Sequence, residues 1–202
     1  METTSTNEAK HESRNPAQRA VIARFNRELV RLVERVAPRS ILDVGCGEGY
    51  TLAALGAAGV TAELFGVDLS RSAIAKARRR LPAGVTLTVG DARELHAGRA
   101  RFDLVIMTEV LEHLDEPGDM LPVLAGLSRG RVLLSVPWEP FFRGINFLRG
   151  KHVTRLGNHP EHVQCWSRTG FIRFVERHLI VEAAPFAFPW TLVLARPKGG
   201  LQ

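Results

Sequence analysis

Three alternate glycines follow an acidic side chain at the end of an apolar run. Residues 41–44 lead into Gly45, Gly47 and Gly49, and Asp43 precedes the first glycine by two positions. Glycine adopts positive φ and lets the backbone approach a bound molecule closely, while the free amides at the start of a following helix point the same way. The stretch therefore predicts a turn that binds a nucleotide-like cofactor.

The glycine spacing differs from that of the dinucleotide-binding fingerprint. The third glycine of that fingerprint would fall at Tyr50, and no lysine follows as it does in a P-loop. The carboxylate of Asp43 would lie beside the ligand, where it suits an ammonium or a sulfonium better than a pyrophosphate. The turn thus favours a cofactor that carries positive charge.

Two further acids follow predicted strands. Asp68 ends the run 64–68 and lies about twenty residues after the glycines, the distance at which an acid accepts hydrogen bonds from ribose hydroxyls. Asp91 follows the run 85–89 in the same way. Both acids are expected at the edge of the sheet where the glycine turn lies.

Taken together, these residues resemble the class I S-adenosylmethionine (SAM) dependent methyltransferases over residues 40–137. The family's D-x-G-x-G-x-G motif corresponds to residues 43–49, its ribose acid to Asp68 and its adenine-binding acid to Asp91. The resemblance implies SAM as cofactor and a doubly wound, Rossmann-like α/β sheet that is mostly parallel with an antiparallel last strand. The cofactor-binding residues that it implies are Asp43, Gly45, Cys46, Gly47, Gly49, Asp68, Leu69, Asp91, Ala92 and Thr108.

A second polar group follows the fourth predicted strand, beyond which ligands of open α/β sheets bind. If this segment is helical, Glu109, Glu112 and His113 are spaced i, i+3 and i+4 and share one face. Three interpretations are open: a polar helix start with a solvated histidine, a catalytic site with His113 as the general base and Glu109 as the other candidate catalytic residue, and a divalent-metal site.

The metal interpretation rests on a narrower resemblance. The pattern E-x-x-E-H, with a histidine before a later helix, resembles the metal ligands of ubiquinone-biosynthesis O-methyltransferases and small-RNA 2′-O-methyltransferases. It implies Glu109, Glu112, His113 and His162 as ligands. These donors suit Mn²⁺, Fe²⁺ or Zn²⁺ better than Mg²⁺, and the metal would lower the pKa of a substrate hydroxyl.

Short apolar runs alternate with helical segments from residue 40 onward, which is typical of β-α units and a parallel sheet. A leading helix should begin at Pro16, capped by Asn15, and either cover the cofactor site or only pack. We predict strands at 40–45, 63–68, 85–89, 102–107, 131–136, 179–185 and 190–195, and further helices at 50–58, 70–80, 117–127 and 167–178.

Length and composition are those of one domain. The 202 residues are 45% hydrophobic, and we expect a disordered tail at 1–14 followed by a single domain at 15–202. The two cysteines, Cys46 and Cys165, suggest no disulfide framework, and no signal peptide or membrane span is evident, which indicates a cytoplasmic protein.

The net charge of +6 favours an anionic substrate, RNA or an acidic membrane as partner. The three arginines at 78–80 are interpreted as a solvated helix end in preference to a nucleic-acid patch. Residues 138–166 form a basic, aromatic insert that we interpret as an amphipathic substrate lid, with RNA stacking or contact with a lipid substrate as the alternatives.

The sequence as a whole thus predicts a SAM-dependent methyltransferase acting on a hydroxyl of a small molecule by direct, in-line transfer. The substrate would be anionic or lipid-like. Three alternatives are an RNA 2′-O-methyltransferase, a metal-free enzyme that uses His113 as its base, and a noncatalytic SAM-binding protein.

Overall fold

The computed structural model describes residues 15–97, 100–138, 164 and 166–198. In chain order the elements are α1 (Pro16–Val36), β1 (Ser40–Val44), α2 (Tyr50–Ala57), β2 (Glu63–Asp68), α3 (Arg71–Arg80), β3 (Thr86–Val89), α4 (Ala92–Ala97), β4 (Phe102–Thr108), a 3₁₀ turn (Leu111–His113), α5 (Pro117–Leu127), β5 (Ser128–Pro137), α6 (Arg168–Glu176), β6 (Leu179–Ala183), β7 (Phe186–Ala187) and β8 (Trp190–Pro197).

The strands form one sheet in the order β3-β2-β1-β4-β5-β8-β6, and the short β7 pairs with β8. Strands β1 to β5 are parallel to one another, whereas β8 runs antiparallel to both β5 and β6. The predicted fold class, a Rossmann-like and mostly parallel sheet with an antiparallel last strand, is therefore confirmed. Because β1, β2 and β4 are neighbours, their carboxyl ends meet at one edge of the sheet.

The core lies on both faces of this sheet, as the alternation of side chains along a strand requires. On β4, Leu104 and Ile106 pack in one cluster with residues of α1, α2 and α3. Their neighbours Val105 and Met107 pack in the other cluster with residues of α5 and α6. Helix α1 buries one face in the first cluster, so its packing role is confirmed, while a role as a lid stays a prediction.

Three helices begin at polar residues that accept hydrogen bonds from the first turn. The side chain of Asn15 accepts from the backbone of Ala17 at 2.9 Å, ahead of α1. Ser70 caps α3 and Ser167 caps α6 in the same manner. The predicted starts of these helices are thereby confirmed to within one residue.

Other details differ from the predictions. Helix α4 and strand β7 were not predicted, because six and two residues are too few to show a periodic apolar pattern. Strand β5 begins three residues earlier than predicted, at Ser128. The tail at 1–14 and nearly all of the insert, with His162 and Cys165, lie outside the described residues. Of the helices described, none combines the length and apolarity needed to cross a membrane.

Candidate active site

The glycine turn connects β1 to α2 at the carboxyl edge of the sheet. Gly45, Gly47 and Gly49 all have positive φ, at 72°, 52° and 80°. The backbone amide of Gly45 donates to the carbonyl of Val67 at 2.8 Å, which joins the turn to the end of β2. A Cβ atom on Gly45 would lie 2.6 Å from a methyl carbon of Val110, so a side chain there is excluded by both conformation and space.

Asp68 lies beside this turn and holds its conformation. One carboxylate oxygen accepts a hydrogen bond from the amide of Gly47 at 2.8 Å, and the other accepts from the amide of Ser70 at 2.8 Å. The next residue, Leu69, is 73% exposed although it is large and apolar. A half-buried acid next to an exposed apolar side chain can take a ligand that has both hydroxyls and a flat ring, as a nucleoside does.

The carboxyl group of Asp43 is buried in the same region. Its side chain is 1% exposed, and in the described part of the chain neither of its oxygens accepts a hydrogen bond. Burial, and then the negative charge of Asp68, raise the pKa of Asp43 to about 8. A buried polar group without a partner is costly, so this carboxyl group is suited to a ligand that brings a hydrogen-bond donor with positive charge.

Three other predicted cofactor residues lie at the same edge. Cys46 is buried, and burial together with Asp43 raises the pKa of its thiol above the usual range, so it is a packing residue and not a nucleophile. Asp91 accepts hydrogen bonds from the backbone and side chain of Arg93 at the start of α4, where Ala92 is buried. These contacts fix Asp91 next to the end of β3.

Thr108 joins β4 to the helix that follows the glycine turn. Its hydroxyl lies 3.3 Å from that of Thr51 in α2, so the two form a hydrogen bond. The contact between Gly45 and Val110 links the same two regions of the chain. The glycine turn and the segment after β4 are therefore packed directly against each other.

Glu109 follows Thr108 in an unusual conformation. Its φ is 56°, in the left-handed region that residues with a side chain seldom adopt, and its amide donates to the carbonyl of Ser135 at 3.1 Å. The indole N–H of the buried Trp190, from the start of β8, donates to its carboxylate at 2.5 Å. The carboxylate is thus held in a defined orientation at the end of β4.

The helix that would place Glu109, Glu112 and His113 on one face is not formed. Only Leu111–His113 form a helical turn, of the 3₁₀ type, and Glu109 before it has a left-handed φ that an α-helix does not contain. Glu112 is 1% exposed and His113 is exposed. Across residues 15–97, 100–138, 164 and 166–198, no three His, Cys, Asp or Glu side chains are grouped so that they could hold a metal ion.

Sequence reasoning missed two residues of this site. Trp190 contacts Glu109 from 81 positions away, and only the pairing of β8 with β5 brings it there. Arg80, at the end of α3, donates to the backbone of the glycine turn. The sequence did not predict this contact, because a run of three arginines at a helix end is commonly solvated.

Comparison with known proteins agrees with this geometry. Residues 41–129 match the family model described as a methyltransferase domain. The chain is 37% identical over 100 residues to a trans-aconitate 2-methyltransferase of Methylobacterium radiotolerans, which covers 50% of this chain and 38% of that protein. It is 30% identical over 153 residues to a ubiquinone biosynthesis O-methyltransferase of Pseudomonas paraeruginosa, covering 66% of this chain and 64% of that protein.

The chain therefore spans less than two thirds of the length of either curated relative. Among solved structures, the N-methyltransferase NodS from Bradyrhizobium japonicum, in complex with S-adenosylhomocysteine, superposes with a TM-score of 0.69 at 18% identity. The match covers 96% of this chain and 94% of that one. At this identity the likeness is one of fold.

Proposed function

We propose that this chain is a class I SAM-dependent methyltransferase, which transfers the methyl group of SAM to a hydroxyl oxygen of a small, anionic molecule. The observation that carries the proposal is the buried carboxyl group of Asp43, without a described hydrogen-bond partner and next to three glycines of positive φ. A cofactor with an ammonium and a sulfonium satisfies this group electrostatically, which a dinucleotide with its pyrophosphate would not.

Each part of SAM matches a side chain at the carboxyl edge of the sheet. Asp43 would accept from the ammonium group, and Asp68, already oriented by the amides of Gly47 and Ser70, would accept from the ribose hydroxyls. Asp91 would accept from the adenine amino group, and the exposed Leu69 would pack on the adenine ring. Bound there, SAM supplies an electrophilic methyl group on a positively charged sulfur.

The acceptor side of the site lies at the end of β4. Glu109, held by the indole of Trp190, would accept a hydrogen bond from the substrate hydroxyl and so direct its oxygen to the methyl group. The exposed imidazole of His113, four residues further on, can take up the proton that the hydroxyl loses. The chain's main contribution to the rate would then be to position the oxygen in line with the bond that breaks.

Small molecules are favoured as acceptors by the relatives whose names refer to trans-aconitate and to ubiquinone biosynthesis. The net charge of +6 favours an anionic one. A metal-assisted version of the reaction receives no support from the described residues, because no three His, Cys, Asp or Glu side chains among them are grouped so that they could hold a metal ion. The fourth predicted ligand, His162, lies outside these residues.

The test has two parts. Calorimetry with S-adenosylhomocysteine should show binding to the wild type and, for Asp68→Ala, a dissociation constant raised by roughly 30- to 100-fold, since two charge-assisted hydrogen bonds are lost. The wild-type protein and SAM are then incubated with one of two candidate acceptors. The first is 3,4-dihydroxybenzoate, which has phenolic hydroxyls and a carboxylate, and the second is trans-aconitate, which has carboxylates alone.

Formation of S-adenosylhomocysteine is followed by mass spectrometry. We expect S-adenosylhomocysteine to form with the dihydroxy compound. If a methyl ester of trans-aconitate were the only product, the acceptor group would be a carboxylate and not a hydroxyl. A folded wild type that does not bind S-adenosylhomocysteine would overturn the proposal as a whole. The same reactions in the presence of a chelator test the metal-assisted version.

A further inference from the structure

We propose that Arg80 is a positioning residue of the cofactor site, which holds the glycine turn in its ligand-binding conformation. The inference rests on the function proposed above, because it assumes that this turn binds SAM. Arg80 is the last residue of α3 and the third of three consecutive arginines. Whereas Arg78 and Arg79 are exposed, Arg80 is partly buried.

The guanidinium group of Arg80 contacts the turn at two points. One of its nitrogens donates to the backbone carbonyl of Glu48, which lies between the second and third glycines, at 2.5 Å. Another donates to the hydroxyl of Tyr50 at 2.9 Å. These two partners are two residues apart in the chain, so one rigid group spans the segment from the turn to the first residue of α2.

The same guanidinium group also lies on the ring of Tyr50. Its central carbon is 3.9 Å from the ring centroid, which is the geometry of a cation–π contact. Tyr50 occupies the position where the dinucleotide-binding fingerprint has its third glycine. In this chain that position provides the surface on which Arg80 rests.

Apolar residues of α3 and its end reinforce the contact. A Cβ atom on Gly49 would lie 2.7 Å from Leu81 and 3.3 Å from Ala77, so the end of α3 packs directly on the third glycine. The end of α3 therefore holds the turn by apolar contacts at Gly49 and by charged ones at Glu48 and Tyr50.

A turn with three glycines of positive φ needs such support. Glycine has the largest conformational freedom to lose on ordering, so an unsupported turn would spend much of its time in conformations that do not bind the cofactor. The observed affinity falls in proportion to the fraction of competent conformations. By fixing the peptide between Glu48 and Gly49, Arg80 also helps to keep the nearby Gly47 amide directed at Asp68.

The test compares four single variants by calorimetry with S-adenosylhomocysteine. Arg80→Met keeps the aliphatic stem but removes the charge and the donors, and it should raise the dissociation constant about 10-fold. Arg80→Lys, which keeps the charge but not the two-point geometry, should raise it only about 3-fold. Tyr50→Phe should raise it about 2-fold, and have no further effect when combined with Arg80→Met. The matched control is Arg79→Met, which should bind as the wild type does.

Amide hydrogen exchange on the ligand-free variants separates positioning from general stabilisation. In Arg80→Met, peptides covering residues 45–50 should exchange faster, while those of β4 and β5 should exchange at the wild-type rate. Unchanged affinity in Arg80→Met would overturn the proposal. So would faster exchange throughout the sheet with no rescue by Arg80→Lys. If the wild type binds no S-adenosylhomocysteine, the proposed function fails. The role of Arg80 is then judged by amide exchange alone, and an unchanged exchange rate of residues 45–50 in Arg80→Met would reject it.

Discussion

Replacing Asp43 by asparagine should remove the part of the pH dependence of cofactor binding that comes from this carboxyl group. In the wild type, burial and the charge of Asp68 raise the pKa of Asp43 to about 8. At neutral pH the ligand-free protein therefore carries this carboxyl group largely protonated, whereas the ammonium group of the cofactor requires it ionised. Binding must then release a proton, and affinity must fall as the pH drops.

The size of the effect follows from the pKa. Protonation of Asp43 multiplies the apparent dissociation constant by the factor 1 + 10^(pKa − pH), in which the pKa is that of Asp43 in the ligand-free protein. At pH 6.5 this factor is about 30, or about 2 kcal/mol, and at pH 9 it is close to 1. Asparagine cannot ionise, so Asp43→Asn should bind more weakly than the wild type at pH 9 and nearly as well as it at pH 6.5.

Calorimetry with S-adenosylhomocysteine from pH 6.5 to pH 9 measures this directly. The ligand's own amino group also titrates in this range, but it does so equally for both proteins, so the ratio of the two dissociation constants isolates Asp43. Buffers of different ionisation enthalpy count the protons released. A ratio that stays constant across the range would refute the reasoning, and would mean that Asp43 is already ionised before the cofactor binds.

The same carboxyl group makes the stability of the ligand-free protein depend on pH. This stability falls as the pH rises, whereas that of a protein with a salt-bridged acid falls as the pH drops. Its pKa is raised on folding from 3.8 to about 8, so the native state binds the proton more tightly. The stabilisation is complete below pH 4 and is lost as the pH rises to 8, by at most about 5 kcal/mol. Urea unfolding at pH 5 and pH 8 should show this loss in the wild type and not in Asp43→Asn.

Three further predictions concern the turn, the acceptor side and the metal. Gly45→Ala should weaken binding of S-adenosylhomocysteine at least about 10-fold, because position 45 has positive φ and an added Cβ would meet Val110. The control Gly84→Ala, where the added Cβ meets open space, should bind as the wild type does. Trp190→Phe should lower kcat/KM about 10-fold without changing cofactor affinity, and a Glu109→Gln background should abolish this effect, as steady-state kinetics would show. Metal analysis of untagged protein tests the predicted ligands: a stoichiometric metal that is lost in both His113→Ala and His162→Ala would support them, and a wild type without metal would count against them.

The cofactor side of the site could be predicted because its determinants are local. The spacing of the glycines, with Asp43 before them and Asp68 at the end of the next strand, is a property of short segments whose geometry follows from strand, turn and helix. What sequence could not give is the state of Asp43, because its burial depends on the strands on either side of it. The pKa near 8 is therefore a result of the fold.

The acceptor side shows why prediction failed there. A helical face through Glu109, Glu112 and His113 fits local spacing, but hydrogen bonds from distant residues determine the conformation. The carbonyl of Ser135 accepts from the amide of Glu109, and Trp190 donates to its carboxylate. Neither partner is within twenty residues, so a left-handed residue replaced the expected helix.

The position of β8 has a consequence for how the chain folds during its synthesis on the ribosome. Strand β5 is complete at residue 137, but its second neighbour is β8, which begins at residue 190. Until that strand leaves the ribosome, the β5 edge is an unpaired row of backbone groups of the kind that invites aggregation. The half of the sheet that contains the glycine turn can form earlier, because β1 to β4 pair only with one another and with β5, which is complete at residue 137. A nascent chain arrested before residue 190 should then acquire cofactor affinity before it acquires Trp190, and with it an oriented Glu109.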